Sequence, residues 1–278
     1  MKLAICNEIY RDWPWARAFA HARQCGYTGL EVAPFTLHDE SGQICPQRTA
    51  ELKRLAEEHQ LQIIGLHWLL AFTQGYHLTS GESVTQTADY LGKLAETCRF
   101  LCGELMVFGS PQQRSFGSEL TGEAALENAR RVIEATLPFL EKHQITLAIE
   151  PLGPAETNFL NTAEQTIELC RQIDSPWLKL HLDVKAMCSE SNSIPQIIES
   201  SQDWTVHFHA NDPNLCGPGM GEVNFRPILQ ALDSSGYQGW ISVETFDQTK
   251  SVELLTETSA EYLKRLAAES GNGTKKPT

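Results

Sequence analysis

The chain has 278 residues, of which 41% are hydrophobic, and a formal net charge of −13. That acidity argues against a nucleic-acid partner, because such binding depends on lysine and arginine neutralising phosphates, and nothing in the sequence approaches the ~18 consecutive apolar residues of a membrane span. The length exceeds the usual domain of about 100–200 residues, but (β/α) barrels take about 250 in one piece, so one large core is expected.

The first eight residues are broken by polar side chains too soon for the apolar stretch of a signal peptide. The eight cysteines form no CxxC pair. Both features lead us to expect a cytoplasmic protein with reduced thiols. Short apolar runs then alternate with longer amphipathic stretches to the end, the pattern of parallel strands joined by crossover helices. Strands are predicted near 2–7, 29–33, 62–68, 104–109, 146–150, 178–183, 204–209 and 239–244. Helices are predicted near 14–25, 46–59, 83–101, 121–143, 162–173, 194–200, 225–235 and 251–268. Pro14, Pro46 and Pro195 suit first-turn positions, Asn161 or Thr162 can cap the helix that follows, and Gly26, Gly103 and Gly236 suit helix ends. Eight such units predict an α/β fold, a single-domain (β/α)8 TIM barrel over residues 1–268, with a polar tail at 269–278 expected to be disordered. A doubly wound open sheet would want a glycine-rich turn after the first strand, and residues 6–13 contain no glycine.

Four predicted strands end on a ligand-type side chain. The run 146–152 (Thr-Leu-Ala-Ile-Glu-Pro-Leu) carries Glu150 just before a proline, and three later runs close on Asp183, His209 and Glu244. An ionised group at the edge of an apolar layer costs several kcal/mol unless something positive meets it. In a closed barrel the strand ends face one mouth, so these residues converge although they are distant in sequence. Three carboxylates and one imidazole are a hard ligand set, which suits one divalent ion, Mn²⁺ first, with Mg²⁺, Co²⁺ or Zn²⁺ as alternatives. His181 and His207 each precede a ligand by two residues, so alternation points them inward one layer below, where they could hold a carboxylate or fix a tautomer. Either could also displace its neighbour as the ligand.

Other residues fall near the expected mouth. Lys185, two beyond Asp183, could bond a substrate hydroxyl, hold a carboxylate or phosphate, move a proton if its pKa is lowered, or be a solvated loop lysine. His67, Trp68, Trp13 and Trp15 lie near strand ends and could wall a pocket or simply pack. Arg114, in the loop after the fourth strand, could grip an anionic group or stand exposed. The turn-rich loop at 210–223 follows a candidate ligand.

The stretches at 150–162, 181–184, 207–209, 218–225 and 236–246 resemble the xylose-isomerase-like TIM barrels of the sugar phosphate isomerase/epimerase group, nearest to the D-tagatose/D-psicose 3-epimerases. The similarity is specific over roughly 146–246; in the first half only Gly29–Val32 and Gly65–Trp68 fit the general pattern. The resemblance implies that Glu150, Asp183, His209 and Glu244 hold the metal, that Glu150 and Glu244 exchange protons with substrate from opposite faces, and that Glu156 contacts substrate. It implies a small-molecule sugar or polyol-derived ketone as partner, and a homodimer or homotetramer. Two positions depart from it: Ala186 and Leu215 stand where those epimerases keep a histidine and an arginine that touch substrate, so the metal centre carries over and ketohexose specificity does not.

The favoured reading is an isomerase or epimerase in which the metal acidifies a C–H and a glutamate removes the proton to give an enediolate. A dehydratase of an inosose or dehydroshikimate-like substrate would share that first step. A DNA-repair endonuclease would need more histidines and a basic groove. A barrel that only binds a ligand is opposed by the intact set of four.

Overall fold

A computed structural model describes residues 1–272. Eight strands, β1 (Lys2–Cys6), β2 (Gly29–Val32), β3 (Gln62–His67), β4 (Leu105–Phe108), β5 (Thr146–Ile149), β6 (Leu178–Asp183), β7 (Thr205–Ala210) and β8 (Trp240–Val243), pair in sequence order, and β1 also pairs with β8 to close a barrel. All eight pairings are parallel. Because both strand faces are covered, the runs are apolar without strict alternation, as in Met106–Phe108 and Leu147–Ile149. Around them, among the described residues, lie α1 (Trp15–Cys25), α2 (Pro46–Glu58), α3 (Val84–Phe100), α4 (Gly122–His143), α5 (Ala163–Ile173), α6 (Val184–Met187), α7 (Ile194–Ser201), α8 (Phe225–Ser234) and α9 (Val252–Asn272). No described helix is long and apolar enough to cross a membrane, and all eight cysteines are free thiols.

The boundaries follow local chemistry. Pro46 and Pro195 sit in the first turns of α2 and α7, and Thr162 caps α5 by accepting from the Gln165 amide. Gly26 ends α1 with a left-handed φ of 85°. Gly103 does not play that part after α3: the left-handed residue is Cys102, at φ 65°. Gly103 instead passes so close to the Cys98 thiol that a Cβ would lie 2.8 Å from it. Helix α9 continues to Asn272, past the expected end at 268; the rest of the tail expected to be disordered lies outside the described residues. Helix α6, absent from the predicted elements, is a single turn begun by Asp183, whose carboxylate accepts from the Ala186 amide.

Two register shifts set the interior. Leu30 pairs with Ile63 but Glu31 with Gly65, and Leu180 pairs with Thr205 but His181 with His207. One residue on β3 and one on β7 are thereby skipped, as in a bulge, and the ladder resumes with Asp183 beside His209. Gly65 permits the close approach of β3 to β4: a Cβ there would sit 2.2 Å from the Leu105 carbonyl oxygen and 3.0 Å from the Leu105 Cβ. Because a backbone oxygen in a closed sheet cannot give way, Gly65→Ala is expected to cost at least about 1–3 kcal/mol and lower Tm by several degrees. Thermal unfolding with a Tm unchanged within about 1 °C would contradict this packing.

Candidate functional site

Glu150 directly follows β5, Asp183 ends β6, His209 lies in β7 and Glu244 directly follows β8, and all four are buried at the same end of the barrel. Ligand atoms of Glu150, Asp183, His209 and His181 lie within 4.8 Å of one another. His181 therefore stands among the candidate ligands, not a layer behind them. Its Nε2 is 3.7 Å from Glu150 Oε1, and neither ring nitrogen has a hydrogen-bond partner. Glu244 stands one step aside, in a second group with Cys6, His67 and His209. Its Oε2 is 3.3 Å from His209 Nδ1 and its Oε1 is 3.3 Å from His67 Nδ1. Asn211 links the two groups, donating to Asp183 Oδ2 at 2.5 Å and to Glu244 Oε2 at 3.3 Å.

The interior residue that sequence reasoning missed is Glu31 on β2, which is fully buried. Its Oε2 is 2.8 Å from His207 Nε2, and both its oxygens are 3.1 Å from His209 Nε2. His207 is thus tied to Glu31, and one of its ring nitrogens also lies within 4.8 Å of ligand atoms of His181 and His209. With Nε2 occupied, His209 can offer only Nδ1 toward Glu244 and the mouth, the arrangement by which a carboxylate fixes the tautomer of a metal-binding histidine. Glu8, also unassigned from sequence, accepts His67 Nε2 at 2.9 Å.

The electrostatics fit a cation. Burial, then the charges of Asp183 and Glu244, push the Glu150 carboxyl well above the usual carboxylate range. Burial and Glu244 push Asp183 up to about 6. Burial would also raise Glu244, but His209 and His67 outweigh it and hold it low. Glu31, despite burial, is held well below its ordinary value by His207 and His209. Two carboxyls forced toward neutrality, beside buried imidazole nitrogens without partners, form a donor set that a divalent ion would satisfy. The residues present therefore fit such an ion, with Glu150, Asp183, His209 and either His181 or Glu244 as its donors.

Above this centre opens a cavity of about 160 Å³, whose walls include His67, Trp68, Glu156, Lys185, Leu215 and Phe246. It is smaller than the roughly 300–1,000 Å³ of drug-sized pockets, so it suits one small molecule. Lys185 and Glu156 meet at 2.6 Å on its wall. Burial opposes the Lys185 charge, but Asp183 and Glu156 outweigh it and raise the ammonium above its ordinary value. Two expectations are corrected. Trp15 is not in the cavity: it begins α1 on the outer layer, where the Arg48 guanidinium lies 5.3 Å from its ring. Arg114 is neither exposed nor in contact with the cavity. It is completely buried and donates to the carbonyl oxygens of Glu150 at 2.7 Å and Phe108 at 2.6 Å, fixing the end of β5 from behind.

Comparison with known proteins agrees with this architecture. A probable ketose 3-epimerase of Synechocystis sp. is 27% identical over 235 residues, 82% of this chain and 77% of that protein. A hydroxypyruvate isomerase of Escherichia coli is 26% identical over 258 residues, 88% of this chain and 93% of the relative. The crystal structure of a D-allulose 3-epimerase from Methylomonas sp. superposes with a TM-score of 0.81 at 19% identity, covering 96% of this chain and 98% of that one. The pattern of the xylose isomerase-like TIM barrel family matches residues 19–266, nearly the whole closed barrel with the strand ends that carry the site, and the chain belongs to that family.

Proposed function

We propose that the protein is a divalent-metal-dependent isomerase or epimerase that moves a proton next to the carbonyl of a ketose or related hydroxy-ketone. The observation that carries this reading is the convergence of Glu150, Asp183 and His209, with His181 and Glu244 alongside, beneath a small cavity walled by Glu156 and Lys185. The ketose 3-epimerase and hydroxypyruvate isomerase relatives support it, since both names describe proton transfer beside a ketone.

A bound ion would polarise the carbonyl and adjacent hydroxyl oxygens of such a substrate and acidify the C–H between them. Glu150 and Glu244 follow strands three places apart around the ring, so a ligand held between them presents opposite faces to the two carboxylates. One glutamate removes the proton to leave an enediolate; for epimerisation the other, protonated at the outset, gives its own proton to the opposite face, and for isomerisation the first passes the proton it took to the neighbouring carbon. Arg114 holds the Glu150 backbone, and hence the origin of its side chain, while the carboxylate works. Asn211 keeps Asp183 and Glu244 in register. Glu156 and the Lys185 ammonium, on the cavity wall, would bond substrate hydroxyls, and Trp68, Leu215 and Phe246 would exclude water from the reacting carbon.

Four outcomes test this. Protein loaded with Mn²⁺ should retain one ion per chain and interconvert ketose epimers or ketose–aldose pairs, followed by NMR. Glu150→Gln and Glu244→Gln should each lower kcat by about 10²-fold or more, the scale of general-base catalysis; near-normal turnover in both would remove these residues from the chemistry. Glu31→Gln should weaken ion retention by about 10–100-fold, read by titration against a chelator, with kcat largely recovered at saturating ion. Loss of kcat that excess ion does not restore would contradict the positioning part given to Glu31. Free D-psicose and D-fructose should be poor substrates, because the resemblance to the epimerases breaks at Ala186 and Leu215, the latter on the cavity wall, and a lost polar contact costs about 1–3 kcal/mol; high kcat/KM on either would contradict this.

A further inference from the structure

A second cavity, of about 240 Å³, adjoins the first and shares Trp68 and Phe246 with it as a common wall. Its floor is four aromatic rings in edge-to-face contact. Phe35 and Phe72 have centroids 4.9 Å apart, Phe35 and Trp68 5.7 Å, Trp68 and Phe72 6.0 Å, and Trp68 and Phe246 5.6 Å. Phe72 is 75% exposed, the most exposed of the large apolar side chains among the described residues. Glu8, Arg11, Asp247 and Gln248 place polar groups around these rings.

The backbone is strained at the same place. Nine non-glycine residues among those described have left-handed φ. Gln60, Cys102, Gln144 and Asp174 are in the turns that end helices, where that conformation is ordinary. Four of the other five border the two cavities: Arg11 at φ 51°, which ends the short 3-10 turn Asn7–Tyr10 but with a ψ of −121° that is outside the ordinary left-handed well, Trp68 at 55°, Phe72 at 58° and Leu215 at 69°. Such conformations cost of order 1–3 kcal/mol each and persist where surrounding structure imposes them, commonly at ligand clamps. Arg11 is held by its guanidinium, which donates to the carbonyl oxygens of Asp247 and Lys250 and so ties the loop after β8 to the cavity wall. Folding has thus held an exposed phenylalanine and a tryptophan in costly backbone shapes beside the reaction cavity, where neither fills the core.

We propose that this second cavity is a subsite for a distal unit of the substrate, a ring with an apolar face, so that the preferred substrate is a ketose carrying a second sugar on the end remote from the metal centre. Sugar rings expose C–H faces that lie against aromatic rings, and the polar groups at the rim suit the hydroxyls that point outward. The two cavities flank the same Trp68–Phe246 pair, so a unit held in one lies beside a unit held in the other, which favours part of the substrate over a separate ligand. The inference rests on the ketose reading given above.

The test compares D-fructose with 6-O-α-D-glucosyl-D-fructose, whose reacting carbons are unsubstituted, for the Mn²⁺-loaded parent, Phe72→Ala and Phe72→Tyr. The parent should show a higher kcat/KM on the glucosylated ketose, by about tenfold. Phe72→Ala should bring the ratio of the two values near one, and Phe72→Tyr, which keeps the ring, should preserve it. A ratio near or below one in the parent, or one unaltered in Phe72→Ala, overturns the subsite. So does a change in solution mass in Phe72→Ala with an unchanged ratio, which would assign the rings to contact between copies of the chain. Saturation-transfer NMR separates this inference from the ketose reading because it needs no turnover. If neither ketose reacts but glucosyl protons receive saturation in the parent and lose it in Phe72→Ala, the subsite stands and the ketose reading fails. If they receive none, the subsite fails.

Discussion

The contact between Glu31 and the paired imidazoles of His207 and His209 is the constraint on which the site depends. A carboxylate on β2 crosses the barrel interior to side chains on β7, and at complete burial its charge is tolerated only because the histidines meet it. That pairing consumes His209 Nε2 and turns Nδ1 toward the mouth, beside Glu244. The barrel supplies convergence; the buried pair supplies orientation. Without it the ring could rotate, and the donor atoms would not keep a common focus.

The rest of the centre is braced in the same way. Arg114 spends its buried guanidinium on two backbone carbonyls at the ends of β4 and β5, so Glu150 projects from a fixed strand end. Asp183 both caps α6 and faces the centre, which couples its position to the turn that carries Lys185. Glu150, Asp183 and His209 are each anchored by a contact outside the cavity. This is what preorganisation requires: the cost of assembling like charges is met in folding and not in binding.

Much of this was legible in the sequence, for a definable reason. Apolar runs that stop at Glu150, Asp183, His209 and Glu244 are conspicuous because a carboxylate at a strand end has no packing role, and a closed barrel alone brings them together. Glu31 was not legible in this way. It sits inside a four-residue strand, where a polar residue is ordinary, and its partners are 176 and 178 positions away. The register shifts on β3 and β7 leave no sequence mark, yet the first sets Glu31 beside Gly65 and the second sets His181 beside His207 and Asp183 beside His209. Arg114 misled because a loop arginine in sequence says nothing of which carbonyls lack partners behind the strands. Trp15 misled because nearness to a strand end does not fix which side of the helical layer a ring faces.

The central claim is that this mouth makes one C–H of a ketose exchangeable. It is tested most directly by holding the Mn²⁺-loaded protein with a ketose in deuterium oxide and following the C3 proton by NMR. The account predicts that the C3 signal disappears as deuterium enters at that carbon, faster than without protein, and that the label stays confined to the carbons beside the carbonyl. Protein that holds its ion and demonstrably binds the ketose, yet leaves the C3 proton unexchanged across a panel of chain lengths and substituted ketoses, would contradict it.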